Sequence, residues 1–352
     1  LKHKLMLERQ GTEVIKSAAL RGCKRSPKSE RGSLSVPLID IEGFETADLA
    51  TRSQVVSQWR NALDSIGFVT IRGHGIPETV RANLYRHACA FFEQPLERKL
   101  LHSAAARGAA GYIPPLGESV GRSAGKSSAP DIVESLSFSD IASDVGGGKG
   151  APALPAHLPV DLRNSVTAYV DAGYALGLRL MRLSAAALGL EENYFDDMYA
   201  PMQHKLRLAY YPEQMSDPMP GQLRNAAHTD FSGFTILLQD DAPGGLQVLA
   251  PDGTWIDVPS VPGALVINTG DLLQRWTNDR WVSNVHRVVN PPIQRRGSSR
   301  RLSIVLFTGP RDDAEIACLP GCASPTTPPR YPPITAGEHV QAKIRQTYGA
   351  TE

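Results

Sequence analysis

The stretch HTDFSGFTILLQD, residues 228–240, sets a histidine and an aspartate one residue apart directly before an apolar run. On an extended chain, side chains at i and i+2 share a face, so the spacing predicts that His228 and Asp230 project together while Thr229 points away. Two such groups side by side can chelate a cation. With nine His and twenty Asp in 352 residues, however, about half an H-x-D is expected by chance. The pair alone leaves a metal site and a turn-capping histidine equally open.

The surrounding sequence has the grammar of short strands. KLRLAYYP, GLQVLAPDGTWIDVP, ALVINTGDLLQRWT, SNVHRVVNPP and RRLSIVLFTGP follow one another with turns between them, and APDGTW carries the hairpin signal Asp252-Gly253. This spacing predicts a sandwich or jelly roll rather than βαβ units. Upstream, SVPLIDIEGF (35–44) reads as a first strand, and GFVTIRGHGIP (67–77) as strand and turn. Helical spacing is expected over 50–65 (Val55, Val56, Trp59, Ala62, Leu63), from Pro77 and Glu78 through Phe92, over 162–188 and over 337–348. Residues 104–159 lose periodicity into Gly, Ser, Ala and Pro and read as loop. The class is α+β, helices in front and strands behind.

Composition narrows the partner. Hydrophobic residues make up 41% and charged residues 21%, and the formal net charge is +1. That balance suits a globular chain with no global field for nucleic acid or an anionic membrane, so a small-molecule partner and a monomer are expected. No apolar run reaches the roughly 18 residues of a membrane span. Four scattered cysteines point to a reducing, cytoplasmic setting, and Cys318 and Cys322 lack further ligands nearby for zinc. The chain begins at Leu1 and so reads as a fragment or processed product, and residues 1–35, with nine Lys or Arg against three Glu, as a flexible basic tail. The expected organisation is this tail, a module over 36–160, and a backing helix, β core and C-terminal helix over 161–352, the last two forming one unit.

His286, in NVHRVV, lies on a separate expected strand of the same β region. Two imidazoles and a carboxylate on neighbouring strands make a 2-His-1-carboxylate facial triad, which leaves positions open on non-haem Fe(II). In RRLSIVLF, Arg301 and Ser303 are again i and i+2, and a guanidinium fork beside a hydroxyl suits a carboxylate. Arg295, Arg296 and Arg300 crowd nearby, but strand register and the apolar continuation IVLF favour Arg301.

With these residues together, the chain resembles the isopenicillin N synthase-like family of Fe(II)/2-oxoglutarate dioxygenases. VPLIDI, SIGFVTIRGHGIP and FFEQPLERK resemble its N-terminal module, and LRLAYYP, HTDFSGFTILLQD, GGLQV, INTGDLLQRWTND, SNVHRVV, RLSIVLF and YPPITAGEH its catalytic core. The resemblance implies a double-stranded β-helix (jelly-roll) core with a helical N-terminal region and a C-terminal helix. It also implies Fe(II) on His228, Asp230 and His286, and 2-oxoglutarate held by Arg301, Ser303 and Tyr211, with Tyr210 facing the other way. O2 would be the second cosubstrate, ascorbate a stimulant, and succinate and CO2 the products beside a hydroxylated, desaturated or cyclised substrate. Asp131 and Glu134, in PDIVESLSF, would be structural.

Three other functions share some of these residues. An oxidase of the same fold would use Arg301 and Ser303 for a substrate carboxylate, a zinc hydrolase would need an acid/base carboxylate that the motif lacks, and a non-catalytic binding protein would keep the fold alone. Expected substrate walls are residues 111–119, the strand with Arg207, Phe231, Phe234 and the C-terminal helix; for Arg207 a structural role is favoured.

Overall fold

A computed structural model describes residues 35–46, 48–104, 110–121, 129–139, 154–240 and 244–348. In chain order they form β1 (Leu38–Asp40), α1 (Gly43–Thr46), α2 (Leu49–Ser65), β2 (Phe68–Arg72), α3 (Glu78–Phe92), α4 (Leu96–Leu100), β3 (Gly111–Ile113), β4 (Glu134–Ser139) and α5 (Val160–Leu188). There follow β5 (Gln203–Tyr211), β6 (Asn225–His228), β7 (Phe234–Gln239), β8 (Leu246–Leu249), β9 (Trp255–Asp257), β10 (Leu265–Thr269) and α6 (Asp271–Trp276). The chain continues through β11 (His286–Val288), β12 (Arg301–Gly309), β13 (Glu315–Ile316), β14 (Ile334–Thr335) and α7 (Ala336–Tyr348). The expected basic tail lies, but for Ser35, outside the described residues.

Eight strands form one sheet in the order β1-β2-β10-β7-β12-β5-β4-β3, and four form another in the order β6-β11-β8-β9. Side-chain parity divides the large sheet. Leu206, Leu208, Tyr210, Ile236, Leu265, Ile267, Leu302, Ile304 and Leu306 join Trp59, Leu84, Phe92, Val166 and Leu180 of α2, α3 and α5 in the main core. On the opposite face Phe68, Ala209, Tyr211, Leu237 and Val266 form a second core with Leu246, Val248 and Val288 of the small sheet. The large sheet is therefore buried on both faces, and its strands read as nearly continuous apolar runs. The α+β jelly roll follows, with a helical layer outside and a strand-lined interior.

The helices start for local reasons. Asp48 caps α2 by accepting from the backbone N–H of Ala50 and Thr51 at 2.8 and 3.0 Å. Trp59 then reaches across to α5, donating its indole N–H to Ser184 at 3.1 Å.

Three expectations need correction. Within 104–159, β3 and β4 pair and extend the large sheet beside β5. In ESLSFS the serines mask the alternation, because Leu136 and Phe138 enter the main core while Ser135 and Ser137 are buried on the other side. GDLLQRW, expected as strand, turns after β10 into α6, where Leu272, Leu273 and Trp276 are buried at helical spacing. Finally, β6 stops at His228, so Asp230 belongs to the turn crossing from the small sheet to the large one.

That turn packs tightly on the start of α6. Gly270 N–H donates to Gly233 O at 2.8 Å, and Asp271 N–H to Asp230 O at 2.8 Å. A Cβ on Gly270 would stand 2.3 Å from Ser232 O. Among the described residues no helix is long and apolar enough to cross a membrane. Gly270→Ala is expected to cost about 1–3 kcal/mol by overpacking, read as a lowered Tm, whereas Gly297→Ala, with open space around its Cβ, leaves Tm within error.

Candidate metal and cosubstrate site

β11 pairs with β6 so that His286 stands opposite His228. Cross-strand neighbours are the closest side chains a sheet offers, and the two imidazole centroids lie 4.3 Å apart. The Nε2 atoms of His228 and His286 each lie 3.7 Å from Asp230 Oδ1. One ligand atom from each of the three residues falls within 4.8 Å of the others. A divalent first-row cation sits about 2.1 Å from nitrogen or oxygen donors, so the 3.7 Å separations from each imidazole to Asp230 can be bridged by one ion.

Neighbouring groups fix which atoms face inward. His228 Nδ1–H donates to Ala226 O at 2.8 Å and His286 Nδ1–H to Asn284 O at 3.0 Å, leaving both Nε2 lone pairs for the centre. Asp230 Oδ2 accepts from Thr235 Oγ1 at 2.6 Å and Asn268 Nδ2 at 2.7 Å, leaving Oδ1 for the centre. Burial opposes ionisation of Asp230, but His286 and His228, with the bonds from Thr235 and Asn268, outweigh it and hold the carboxyl below its ordinary value. Burial, and next the charge of His286, pushes His228 down to about 4. Two neutral imidazoles and one carboxylate are the donor set that a metal ion needs. The residues fit Fe(II).

Arg301 and Ser303 lie on the interior face of β12, 1% and 3% exposed, and Arg301 stands opposite Tyr211 of β5. The guanidinium donates to Ser303 Oγ at 3.2 Å, Gly244 O at 2.8 Å and Gln239 Oε1 at 2.9 Å. The other candidate arginines are elsewhere: Arg296 pairs with Asp217 at 2.6 Å, and Arg300 donates to Cys89 Sγ at 3.2 Å. Tyr210 faces the helical layer and stacks on Phe92 at 5.0 Å. Asp131 is structural, accepting from the N–H of Val120 and Ala226 at 2.8 Å each, while burial raises its carboxyl to about 6. Glu134 pairs with Lys99 at 2.6 Å.

A cavity of about 340 Å3 opens beside His228 and Asp230, lined by Phe231, Lys205, Arg207 and Phe307 and covered by Val340 and Ile344 of α7. Arg207 meets Glu118 at 2.8 Å, in keeping with a structural role. Two expected walls are not there. Phe234 is fully buried against Trp59 at 5.6 Å, because it opens β7 on the face it shares with Ile236 while Phe231 lies in the turn, and residues 111–119 do not line the cavity. α7 is tied to the metal turn by His339 Nε2–H donating to Phe231 O at 3.1 Å and by Lys343 Nζ on Asp271 at 2.6 Å. Thr235, Asn268 and Gln239, which hold the key side chains, carry no motif of their own. Only their even or odd placement on expected strands could have flagged them.

The described architecture is that of a non-haem iron oxygenase, and the chain belongs to the 2OG-Fe(II) oxygenase superfamily. Residues 202–310 match that family's model, and residues 36–152 match the model described as the N-terminal region of the non-haem dioxygenase in morphine synthesis. The chain is 35% identical over 328 residues to a 2-oxoglutarate-Fe(II) type oxidoreductase of Emericella nidulans, covering 90% of this chain and 91% of the relative. It is 29% identical over 292 residues to the validamycin A dioxygenase of Streptomyces hygroscopicus subsp. limoneus, covering 81% and 80%. Among solved structures, a full-length Neurospora crassa protein in complex with alpha-KG and thymine is similar at a TM-score of 0.77 and 31% identity, covering 88% of this chain and 96% of that one.

The buried imidazole predicts an acid sensitivity of the metal-free protein. His228 titrates near 4 when folded against an ordinary 6.5, so between these values the unfolded chain binds a proton that the folded chain refuses. Stability contributed here is intact above 6.5 and falls as pH drops toward 4. Melting curves of metal-free wild type and His228→Gln across this window are expected to converge toward low pH as the wild type loses more stability.

Proposed function

We propose that His228, Asp230 and His286 hold Fe(II), that Arg301, Ser303 and Tyr211 hold the distal carboxylate of 2-oxoglutarate, and that a small organic substrate occupies the cavity beside Phe231. The observation that carries this assignment is that three metal donors cluster within 4.8 Å of one another while His286, against Phe68, and the buried Arg301, beside Tyr211, border the same core between the sheets. When bound, iron and 2-oxoglutarate supply the redox chemistry: O2 is consumed, 2-oxoglutarate leaves as succinate and CO2, and the substrate is oxidised.

The chain's own residues supply position. Thr235 and Asn268 keep Asp230 ionised and oriented, and the carbonyls of Ala226 and Asn284 keep both imidazoles in the tautomer whose Nε2 faces inward. Arg301 is itself oriented by Gln239 and the Gly244 carbonyl before any ligand arrives, which lowers the cost of ordering the pocket. The two sheets bury Asp230 and His286, and α7 covers the cavity beside them. A cavity of this size suits a compact substrate and accommodates hydroxylation, desaturation or ring closure alike. We further propose a monomer acting on a free small molecule, with neither nucleic acid nor membrane as partner, in keeping with a net charge of +1. A cytoplasmic setting suits the free thiols of Cys89, Cys318 and Cys322.

Succinate release that requires Fe(II), O2 and a candidate substrate is the test of the reaction. Asp230→Ala is expected to lower it at least about a hundredfold and to abolish tight metal binding; Asn268→Ala, which leaves the ligands in place, should weaken Fe(II) about 10–100-fold. Arg301→Gln is expected to raise the half-saturating 2-oxoglutarate concentration at least about tenfold with Fe(II) affinity unchanged. Undiminished turnover by Asp230→Ala would sink the metal assignment. Unchanged half-saturation in Arg301→Gln would move the carboxylate anchor elsewhere.

A further inference from the structure

We infer that Arg224 is a second guanidinium of the cosubstrate pocket and shares with Arg301 the distal carboxylate of 2-oxoglutarate. The inference rests on the assignment of Arg301 above. Arg224 and Arg301 are 2% and 1% exposed, and their guanidinium carbons lie 5.8 and 5.9 Å from the centroid of the same Tyr211 ring. Neither forms an ion pair with a carboxylate among the described residues, although the charge of Asp240, whose Oδ2 accepts from Leu302 N–H at 2.7 Å, acts on both from further off. Arg301 donates only to neutral oxygens, those of Ser303, Gly244 and Gln239. Arg224 does the same, donating from Nη2 to Pro212 O and Ser299 Oγ at 3.0 Å each.

Beside them, buried polar atoms are left over. Arg224 Nε, Gln239 Nε2 and both side-chain polar atoms of Gln214 have no hydrogen-bond partner among the described residues. Gln214 adjoins Arg224 through Ser299, whose hydroxyl accepts from its backbone N–H at 3.2 Å. Buried charges are ordinarily paired, and two buried cations around one ring raise each other's cost. Burial, and repulsion from Arg301 after it, lowers Arg224 to about 10, so it remains a cation near neutrality. An anion accepting from both guanidiniums removes that cost. A carboxylate offers about four lone-pair sites, enough for a fork from one arginine and a further N–H from the other.

The test is anaerobic titration of the Fe(II)-loaded protein, followed by charge-transfer absorption and by calorimetry. Its probes are 2-oxoglutarate and 2-oxopentanoate, the same chain without the distal carboxylate. Arg224→Gln is expected to weaken 2-oxoglutarate about tenfold or more while 2-oxopentanoate stays within about twofold, and Arg224→Lys to recover part of the loss. Arg301→Gln, read the same way, should still prefer 2-oxoglutarate over 2-oxopentanoate by about fivefold or more through Arg224; this holds as a test even where Arg224→Gln does not fold. Equal weakening of both ligands by Arg224→Gln, no weakening of either, or loss of all preference in Arg301→Gln overturns the inference. Wild-type protein that binds neither probe contradicts the cosubstrate assignment itself, not the share of Arg224 in it.

Discussion

The antiparallel register of β12 against β5, with Arg301 opposite Tyr211 and Ser303 opposite Ala209, is the constraint that separates the polar interior from the helical core. Because side chains alternate, the same pairing that sends Arg301, Ser303 and Tyr211 into the interior sends Leu302, Ile304, Leu306 and Tyr210 into the helical layer. A slip of one residue would exchange the two sets, burying a guanidinium among leucines and turning leucines toward the cosubstrate pocket. Two apolar cores enforce the register, and the chemistry inherits it.

The metal donors are placed by a different device. His228 and His286 face one another as a cross-strand pair of the small sheet, but Asp230 comes from the turn that leaves that sheet for the large one. A carboxylate so deeply buried needs compensation, and it receives it from Thr235 on β7 and Asn268 on β10, both strands of the large sheet. The site is thus a junction: one sheet supplies the imidazoles and the other orients the carboxylate between them. Gly270 allows the turn and the start of α6 to touch, Gly233 lets the turn approach the Thr308 carbonyl of β12, and α7 closes on the turn through His339 and on α6 through Lys343.

How much of this was legible depended on range. H-x-D, the later His286 and R-x-S are local patterns whose residue types have few other uses in combination, so candidate donors and a candidate carboxylate anchor could be named in advance. Phe234 shows the limit. Its place after the motif suggested a substrate wall, but parity sends it to Trp59, and Phe231 alone reaches the cavity. β3 and β4 were hidden because a serine-rich strand on the flank of a sheet has no strong pattern of its own, and α6 because six residues are too few to show a helical period. Arg224 was invisible as well, since its significance lies in Tyr211, Ser299 and Arg301, none adjacent to it in sequence.

The sequence by itself determined the kind of protein and the candidate metal-binding residues, because alternation, turn residues and ligand spacing are properties of neighbouring residues. Only the tertiary structure decided which ring nitrogen and which carboxylate oxygen face the centre, which arginines are buried without a counter-ion, and where the cavity opens. The ring nitrogens are held by carbonyls two residues away, those of Ala226 and Asn284, once the strands have placed them, whereas Asp230, Arg301 and Arg224 answer to Asn268, Gln239 and Ser299, which are 38, 62 and 75 positions away and which only packing brings near.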